Sequence, residues 1–358
     1  MLVGILRRHA SKELERSASG DAAPPREVEI QRGGIQCTTT SHKLGYGRPI
    51  PGHIRVNRHL KSAIERGTLL TGIPSLSRFL SRRRALVLLY HNVVPDRTTP
   101  SGELTLHLPL RDFSAQLDVL ARVADVVALD ELVEGSAGSS GRIRVAITFD
   151  DAYMGALAVA VPELVRRRMP ATIFVPPGLF NRRTWWDVVA SQTGGEIPVA
   201  RRTALLTKSA GDWQQILDDT RKSGSDTGAT SLPLIADESQ VIEAAQQPGI
   251  AIGSHTWTHP NLAAISTEGL HAELARSLEW MRARLPTHLP FVTYPYGLAC
   301  PEVEEAARAA GYRAGFLAGG GWLPSDLAPH RFHLPRYNVP AGLSLDGFRL
   351  RLSGLGLT

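Results

Sequence analysis

The feature that most constrains this chain is an apolar stretch that ends in two adjacent aspartates. Residues 142–151 read Arg-Ile-Arg-Val-Ala-Ile-Thr-Phe-Asp-Asp. β-Branched and aromatic side chains at every second position indicate a buried strand. Consecutive strand residues point to opposite faces, so the chain must turn where this carboxylate pair begins. The pair can cap a helix, which is its commoner role, or it can supply a metal ligand beside a general base.

A second stretch favours the chemical role. Residues 250–260 form another short apolar run, and it ends in polar residues that include His255 and His259. Two histidines four positions apart lie on one face of a helical turn, where both imidazoles can bind the same metal ion.

The order of the elements predicts the fold class. From residue 85 onward, about eight short apolar runs alternate with helical patterns, which is typical of a parallel α/β sheet. That many strands in series predict a closed or nearly closed barrel, in which active sites lie at the C-terminal ends of the strands. Polar residues follow four of these runs, at His91, Asp150-Asp151, His255 and Tyr294-Pro295-Tyr296.

The chain divides into three predicted parts. Residues 1–58 are rich in Ser, Gly, Pro, Thr and charge, and they are expected to form a disordered leader. Residues 59–84 form a lead-in of apolar and basic residues. Residues 85–358 form the folded domain, with an insertion at about 181–233, where the regular pattern is lost.

Charge and hydropathy narrow the class of protein. The net charge is +6, but the arginines lie in short clusters without interleaved aromatic residues, so no nucleic-acid partner is expected. No apolar run approaches the roughly 20 residues that span a bilayer, so no transmembrane segment is expected. At the N-terminus the apolar residues precede the charged ones, the reverse of a secretory signal, and the predicted location is the cytoplasm.

These motifs resemble those of the polysaccharide deacetylases, also called carbohydrate esterase family 4 or the NodB-homology domain. Residues 148–151 (Thr-Phe-Asp-Asp) resemble the first motif and residues 254–259 (Ser-His-Thr-Trp-Thr-His) the second. Residues 294–297 (Tyr-Pro-Tyr-Gly) resemble the third. Residues 89–94 and 334–336 also resemble the opening and final motifs of a bacterial branch of the family.

The resemblance covers about residues 85–340. It implies a distorted (β/α) barrel of roughly seven to eight strands with an insertion. The implied activity is metal-dependent hydrolysis of N-acetyl groups from an amino-sugar carbohydrate, with release of acetate. Asp151, His255 and His259 would hold a divalent ion, with zinc as the expected metal.

The resemblance also assigns the remaining roles. A bound divalent ion polarises the acetamide carbonyl and makes a water molecule more acidic. Asp150 would take the proton from that water as general base. The backbone N–H of Tyr296, which follows Pro295, would stabilise the oxyanion together with the metal.

Two positions depart from the family pattern. Thr293 stands where the family often has an arginine that braces the base, and Arg336 stands where it usually has a histidine that protonates the leaving amine. We predict that Arg336 supplies the brace for Asp150 through a bidentate contact. The acid must then come from elsewhere, with His91 and His333 as candidates. A surface ion pair for Arg336 and a non-catalytic role for either histidine stay open.

Three alternatives also stay open at this point. The scaffold can serve an amidase that acts on a small or cyclic amide, because fold does not determine substrate. The two departures also allow a catalytically silent carbohydrate-binding relative, although binding alone would not require Asp150. Trp185, Trp186 and Trp257 can stack on sugar rings, but burial beneath the insertion is the favoured role for Trp185 and Trp186.

Overall fold

The computed structural model describes residues 58–80, 84–135, 141–222 and 232–355. The leader predicted for residues 1–58 lies outside the described residues, except for Arg58, which begins the first helix. Within the described parts of the chain, no helix is both long and apolar enough to cross a membrane.

The described strands pair in parallel throughout. They are β1 (Ala85–Tyr90), β2 (Asn92–Val94), β3 (His107–Pro109), β4 (Ala124–Val126), β5 (Ile143–Phe149), β6 (Ala171–Val175), β7 (Ile250–Ser254), β8 (Phe291–Thr293), β9 (Ala314–Phe316) and β10 (Tyr337–Asn338).

Helices fill most of the connections between these strands. They are α1 (Arg58–Leu70), α2 (Ile73–Leu80), α3 (Leu110–Val123), α4 (Leu129–Val133), α5 (Val161–Arg167), α6 (Trp185–Ser191), α7 (Val199–Lys208), α8 (Trp213–Lys222), α9 (Glu238–Ala245), α10 (Thr267–Arg284), α11 (Pro301–Ala310) and α12 (Leu345–Arg351). A π-helical turn over Ala156–Ala160 directly precedes the fifth helix, α5.

The main sheet curls until its two ends meet. Its strand order is β10-β1-β5-β6-β7-β8-β9, and β4 pairs with the beginning of β5. The N–H of Leu334 donates to the carbonyl of Gly315 in β9, and the carbonyl of Leu334 accepts from Leu317. Three residues later the same segment becomes β10 and pairs with β1. This segment therefore joins both ends of the sheet, and the predicted (β/α) barrel fold is confirmed.

Strand alternation separates two apolar layers. One face of β1 and β5, with Leu88 and Ile147, belongs to a large apolar cluster that also includes residues of α3, α5, α10 and α11. The other face carries Val87 and Ala146, which cluster with Phe174, Phe291 and Phe316 inside the barrel. Because both faces of the sheet are covered by apolar groups, its strands are apolar almost throughout, as the sequence indicated.

The structure corrects several element boundaries. The apolar run at 126–129 predicts a strand, whereas the structure has β4 at 124–126. The run at 334–339 predicts a strand too, but the structure has only the two residues of β10 and the bridge at Leu334. Within the insertion the sequence predicts one short helix, at about 213–220. The structure has three helices there, α6, α7 and α8, which share an apolar cluster. Each of these helices has at most ten residues. That length shows too little periodicity for a sequence pattern to identify.

A glycine allows close packing inside the barrel. A Cβ atom on Gly253 of β7 would lie 2.5 Å from the ring of Phe174, whereas one on Gly67 of α1 would meet nothing within 4 Å. We expect Gly253→Ala to lower the free energy of unfolding by about 1–3 kcal/mol through overpacking. The control Gly67→Ala should leave it unchanged or raise it by up to about 1 kcal/mol, since Gly67 lies within a helix. Denaturant titration measures both; equal stability of the two variants would contradict the packing argument.

Candidate active site

The polar residues that follow the strands meet at one end of the barrel. Nε2 of His255, after β7, lies 3.7 Å from Oδ2 of Asp150 and 3.4 Å from Oδ1 of Asp151, which follow β5. The Tyr296 hydroxyl, after β8, donates to the carbonyl of His259 at 3.1 Å. The expectation that separate strand ends would bring these side chains together agrees with this arrangement.

The backbone explains how two adjacent aspartates reach the same place. Ala146, Thr148 and Asp150 share the inner face of β5, so Asp151 would point the other way if the strand continued. Instead Asp151 adopts a left-handed φ of 67° and Ala152 one of 50°. The turn directs the Asp151 carboxylate toward the histidines, and both carboxylates are almost fully buried, at 2% and 3% exposure.

A tight loop presents the two histidines. Thr256 and His259 both have positive φ, at 65° and 61°. Glu273 of α10 holds the loop, because its carboxylate accepts from the N–H groups of Trp257 and Thr258 at 2.9 and 2.7 Å. The two histidines are therefore brought together by a loop that Glu273 holds in place, and not by a regular helical turn as their spacing suggested.

Asp151, His255 and His259 form a compact triangle of potential ligands. The two Nε2 atoms lie 3.0 Å apart, and Oδ1 of Asp151 lies 3.4 Å from His255 Nε2 and 3.3 Å from His259 Nε2. All three side chains are buried, and one ligand atom from each lies within 4.8 Å of the others.

The donor atoms of this triangle fit a divalent cation. Nδ1 of His255 lies 2.9 Å from the carbonyl oxygen of Thr293, so it carries the proton and leaves the Nε2 lone pair directed into the triangle. Oδ1 of Asp151 is buried without a hydrogen-bond partner among the described residues. Two imidazoles and one carboxylate are a ligand set that zinc and related ions bind, with positions left for water and substrate.

Arg336 makes a bidentate contact with Asp150. Its Nη1 donates to Oδ1 at 2.7 Å and its Nη2 to Oδ2 at 2.6 Å, while Nε donates to the carbonyl of Leu317. Burial by itself would raise the pKa of Asp150, but the guanidinium, and then His255, outweigh it and hold that pKa well below its ordinary value. The carboxylate is therefore ionised, and Arg336 balances its charge inside the protein.

The remaining charge of the cluster belongs to Asp151. Burial opposes its ionisation, but the two histidines hold its pKa below the ordinary value. Burial would lower the pKa of His255, yet Asp150 and Asp151 outweigh it and raise that pKa. Burial and the neighbouring His255 lower the pKa of His259 to about 3. Since Arg336 already compensates Asp150, the Asp151 carboxylate is left to attract a cation.

Thr293, which stands in the place of the family's arginine, contacts both parts of the site. Its hydroxyl lies 2.7 Å from Nδ1 of His255 and donates to Oδ1 of Asp150 at 3.4 Å. It thus accepts from the imidazole and links the proposed base to one proposed metal ligand. From the sequence, Thr293 could be read only as the absence of the family's arginine. Its contacts with His255 and Asp150 become visible only in the folded structure.

The two candidate acids lie in different surroundings. His91 is partly buried, and desolvation lowers its pKa although Asp151 and Asp150 act in the opposite direction. His333 is exposed and bonds Glu304 of α11 at 2.6 Å. His91 is close enough to the two aspartates for their charges to affect its pKa. His333 instead forms a surface contact, as expected for the non-catalytic role that the sequence left open.

The turn after β8 brings Tyr296 against the histidines. Tyr296 has a φ of 59° and the following Gly297 one of 69°, where a Cβ would lie 2.7 Å from the backbone nitrogen of Ala318. Pro295 is buried in the same turn. The Tyr296 ring centroid lies 4.6 Å from that of His259.

The tryptophans divide into two groups. Trp185 and Trp186 are 0% and 4% exposed, which agrees with the favoured structural role. Trp257 is partly exposed, and the guanidinium of Arg276 lies 4.5 Å from its ring centroid. Sequence reasoning did not assign roles to Glu273 or Asp187; a lone carboxylate on a helix carries no signal of what it binds.

Comparison with known proteins identifies the family and the fold. The family model for polysaccharide deacetylase matches residues 137–315, which is half of the chain, while a search of curated proteins finds no match. The chain resembles the Streptococcus pyogenes deacetylase PplD, solved in complex with acetate, at 18% identity and a TM-score of 0.53, covering 77% of this chain and 99% of that one. It also resembles IcaB from Ammonifex degensii, at 20% identity and a TM-score of 0.52, covering 76% of this chain and 96% of that one.

At these identities the two solved structures show a similar fold. The family match covers the strands that precede Asp150, Asp151, His255 and His259. The chain belongs to the polysaccharide deacetylase family.

Proposed function

We propose that this protein hydrolyses N-acetyl groups on an amino-sugar carbohydrate, releasing acetate and a free amine. The observation that supports this function best is an ionised, arginine-bound Asp150 beside a three-ligand cluster in a chain of the deacetylase family. The family's solved relatives include a deacetylase bound to acetate, the expected product.

Asp151, His255 and His259 would hold a divalent ion, which we propose to be zinc. When bound, such an ion supplies a Lewis acid that polarises the acetamide carbonyl and lowers the pKa of water. His255 is prepared for this role, because Thr293 fixes its protonated nitrogen away from the cluster.

Asp150 would act as the general base through Oδ2. That oxygen lies 3.7 Å from His255 Nε2 and so faces the ligand cluster, while Oδ1 also contacts Thr293. Oδ2 would accept the proton from the attacking water as its oxygen adds to the acetamide carbon. Arg336 would keep this carboxylate ionised and correctly aimed.

The other residues would serve the second half of the reaction. The backbone N–H of Tyr296, after Pro295, would donate to the oxyanion of the tetrahedral intermediate. The C–N bond then breaks, and the amino group takes a proton, for which His91 is the proposed donor. Support for this role comes from its location directly after β1, where the charges of Asp151 and Asp150 affect its pKa.

One observation favours a second candidate, an amidase for a small amide. Asp150, Asp151, His255 and His259 are each at most 4% exposed, which suits a compact substrate that can be enclosed. The test of activity therefore covers both acetylated carbohydrates, assayed by acetate release, and small or cyclic amides, assayed by amide hydrolysis.

The first prediction concerns the metal. The purified protein should bind about one divalent ion per chain. His255→Ala with His259→Ala should abolish this binding, because only the Asp151 carboxylate would remain. The exposed pair His271→Ala and His330→Ala is the matched control and should bind as the wild type does. Metal analysis after dialysis measures both; unchanged metal content in the first variant would show that the ion is held elsewhere.

The second prediction tests activity and separates the aspartates. The wild type should release acetate from chitin oligomers, poly-N-acetylglucosamine or peptidoglycan. Asp150→Asn should retain the metal but lower kcat on the order of a hundredfold or more, since an amide cannot accept the proton. Asp151→Asn should lose metal as well. Hydrolysis of small or cyclic amides, with no acetate released from the carbohydrates, would favour the amidase. Equal metal loss in both variants would reject the separate roles.

The third prediction concerns Arg336. Arg336→Met leaves a buried carboxylate uncompensated, so we expect a loss of about 3–5 kcal/mol in unfolding free energy. We expect kcat to fall by on the order of a hundredfold with metal content intact, because the base is no longer aimed. Thr293→Arg in that background should recover part of the rate.

A matched control for this variant is Arg331→Met. Arg331 donates to the carbonyl of Val133 at 3.0 Å instead of to a carboxylate, so its loss should leave kcat unchanged. Steady-state kinetics on folded protein gives the comparison. An Arg336→Met enzyme with the kcat of Arg331→Met would reduce Arg336 to a structural residue.

A further inference from the structure

The two histidines of the ligand cluster are held in different ways. Nδ1 of His255 bonds the carbonyl of Thr293, as is usual for a metal-binding histidine. Nδ1 of His259 is buried and has no hydrogen-bond partner among the described residues. Apart from the contacts of its Nε2 within the ligand triangle, the His259 ring is therefore oriented by packing.

Two aromatic rings provide that packing. The ring centroid of Trp186 lies 4.7 Å from that of His259, and the centroid of Tyr296 lies 4.6 Å from it at an interplanar angle of 83°. We call Trp186 and Tyr296 the aromatic clamp. Trp186 belongs to α6 in the insertion, whereas Tyr296 belongs to the barrel.

Each ring of the clamp is fixed by its own polar group. The hydroxyl of Tyr296 accepts from Nε1 of Trp185 at 3.0 Å and donates to the carbonyl of His259. Nε1 of Trp186 donates to the hydroxyl of Tyr153 at 2.7 Å. Neither ring can rotate without breaking a hydrogen bond that is buried or partly buried.

A buried carboxylate anchors this arrangement. Asp187 is 0% exposed, and its two oxygens accept four hydrogen bonds of 2.7–3.0 Å. The donors come from three separate parts of the chain: Tyr153 Oη, Thr184 Oγ1, His107 Nε2 and the backbone N–H of Glu103. A buried carboxylate with this many donors is satisfied and rigid, and each donor is held in place by it.

The Asp187 network reaches two of the three ligands. Tyr153 lies two residues after Asp151, in the loop that turns this carboxylate into the site. Through Trp186, the same tyrosine hydroxyl also fixes the ring against His259. Displacement of this one hydroxyl would therefore disturb ligands from two different strand ends.

We infer that Asp187, Tyr153 and Trp186 form a positioning unit for the metal site, in which the insertion orients His259 by ring packing. This inference rests on the proposed metal role of His259 and deepens it. None of the three residues is a catalytic residue here, because each acts on the reacting groups through another side chain.

The test uses two variants with different effects on packing. Tyr153→Phe removes one hydroxyl and keeps the ring, and Trp186→Phe removes the indole N–H and part of the clamp. We expect each to weaken zinc binding about tenfold or more, the usual effect of losing a group that orients a ligand. Competition titration of the full chain with a chromophoric zinc chelator measures the affinity.

Matched controls separate positioning from general destabilisation. Trp213→Phe removes an indole N–H of the same insertion that donates to the carbonyl of Arg183 at 2.8 Å. Tyr90→Phe removes a buried hydroxyl that donates to Gln116 at 2.9 Å. Both should lower the metal-free unfolding free energy by about 1 kcal/mol, as the loss of one hydrogen bond does, and keep zinc affinity within about twofold of wild type.

A spectroscopic readout tests the geometry directly. In the Co²⁺-loaded protein, the visible ligand-field bands should shift in Trp186→Phe and Tyr153→Phe and stay unchanged in the two controls. If one test variant fails to fold, the other carries the comparison. Zinc affinity and Co²⁺ spectra equal to wild type in the folded test variants would overturn the inference while leaving the proposed function standing. A wild-type chain that binds no metal would overturn the proposed function and this inference together.

Discussion

The arrangement of the site depends on one buried ion pair, between Arg336 and Asp150. The carboxylate lies at the end of β5, and the guanidinium comes from the segment that closes the barrel, where its Nε also bonds the Leu317 carbonyl next to β9. An unpaired carboxylate at this depth would cost several kcal/mol or become protonated. The same contact therefore links the seam of the barrel to the charge state of the proposed base.

Backbone conformation supplies the second requirement. Asp151, Thr256, His259 and Tyr296 all have positive φ, which costs non-glycine residues on the order of 1 kcal/mol or more each. Regular strands would have separated these side chains onto opposite faces. Hydrogen bonds from the surrounding structure, such as those that Glu273 accepts from the histidine loop, hold the turns in place. The strain is concentrated where three strand ends, those of β5, β7 and β8, must converge.

The departures from the family pattern become understandable in this geometry. An arginine reaches the base from the final motif, so the third motif can carry the smaller Thr293. The threonine hydroxyl then contacts both His255 and Asp150. A longer side chain at this position would make different contacts. The insertion contributes as well, since Trp185 and Trp186 of its helix α6 contact Tyr296 and His259. The site thus draws on the barrel, its closing segment and the insertion.

The sequence by itself determined what depends on neighbouring residues. Apolar runs indicated β1, β5, β6 and β7, and the residues just after them, including Asp150 and His255, indicated the family and suggested the chemistry that we propose. The spacing of His255 and His259 indicated a shared ligand site because the two lie on one local turn. Only the tertiary structure decided contacts between distant segments. Arg336 bonds Asp150 across 186 residues of chain, and Asp187 bonds His107 across 80. Periodicity and local spacing report on neighbours along the chain, whereas these contacts are decided by how the closed barrel and the insertion fold back on one another.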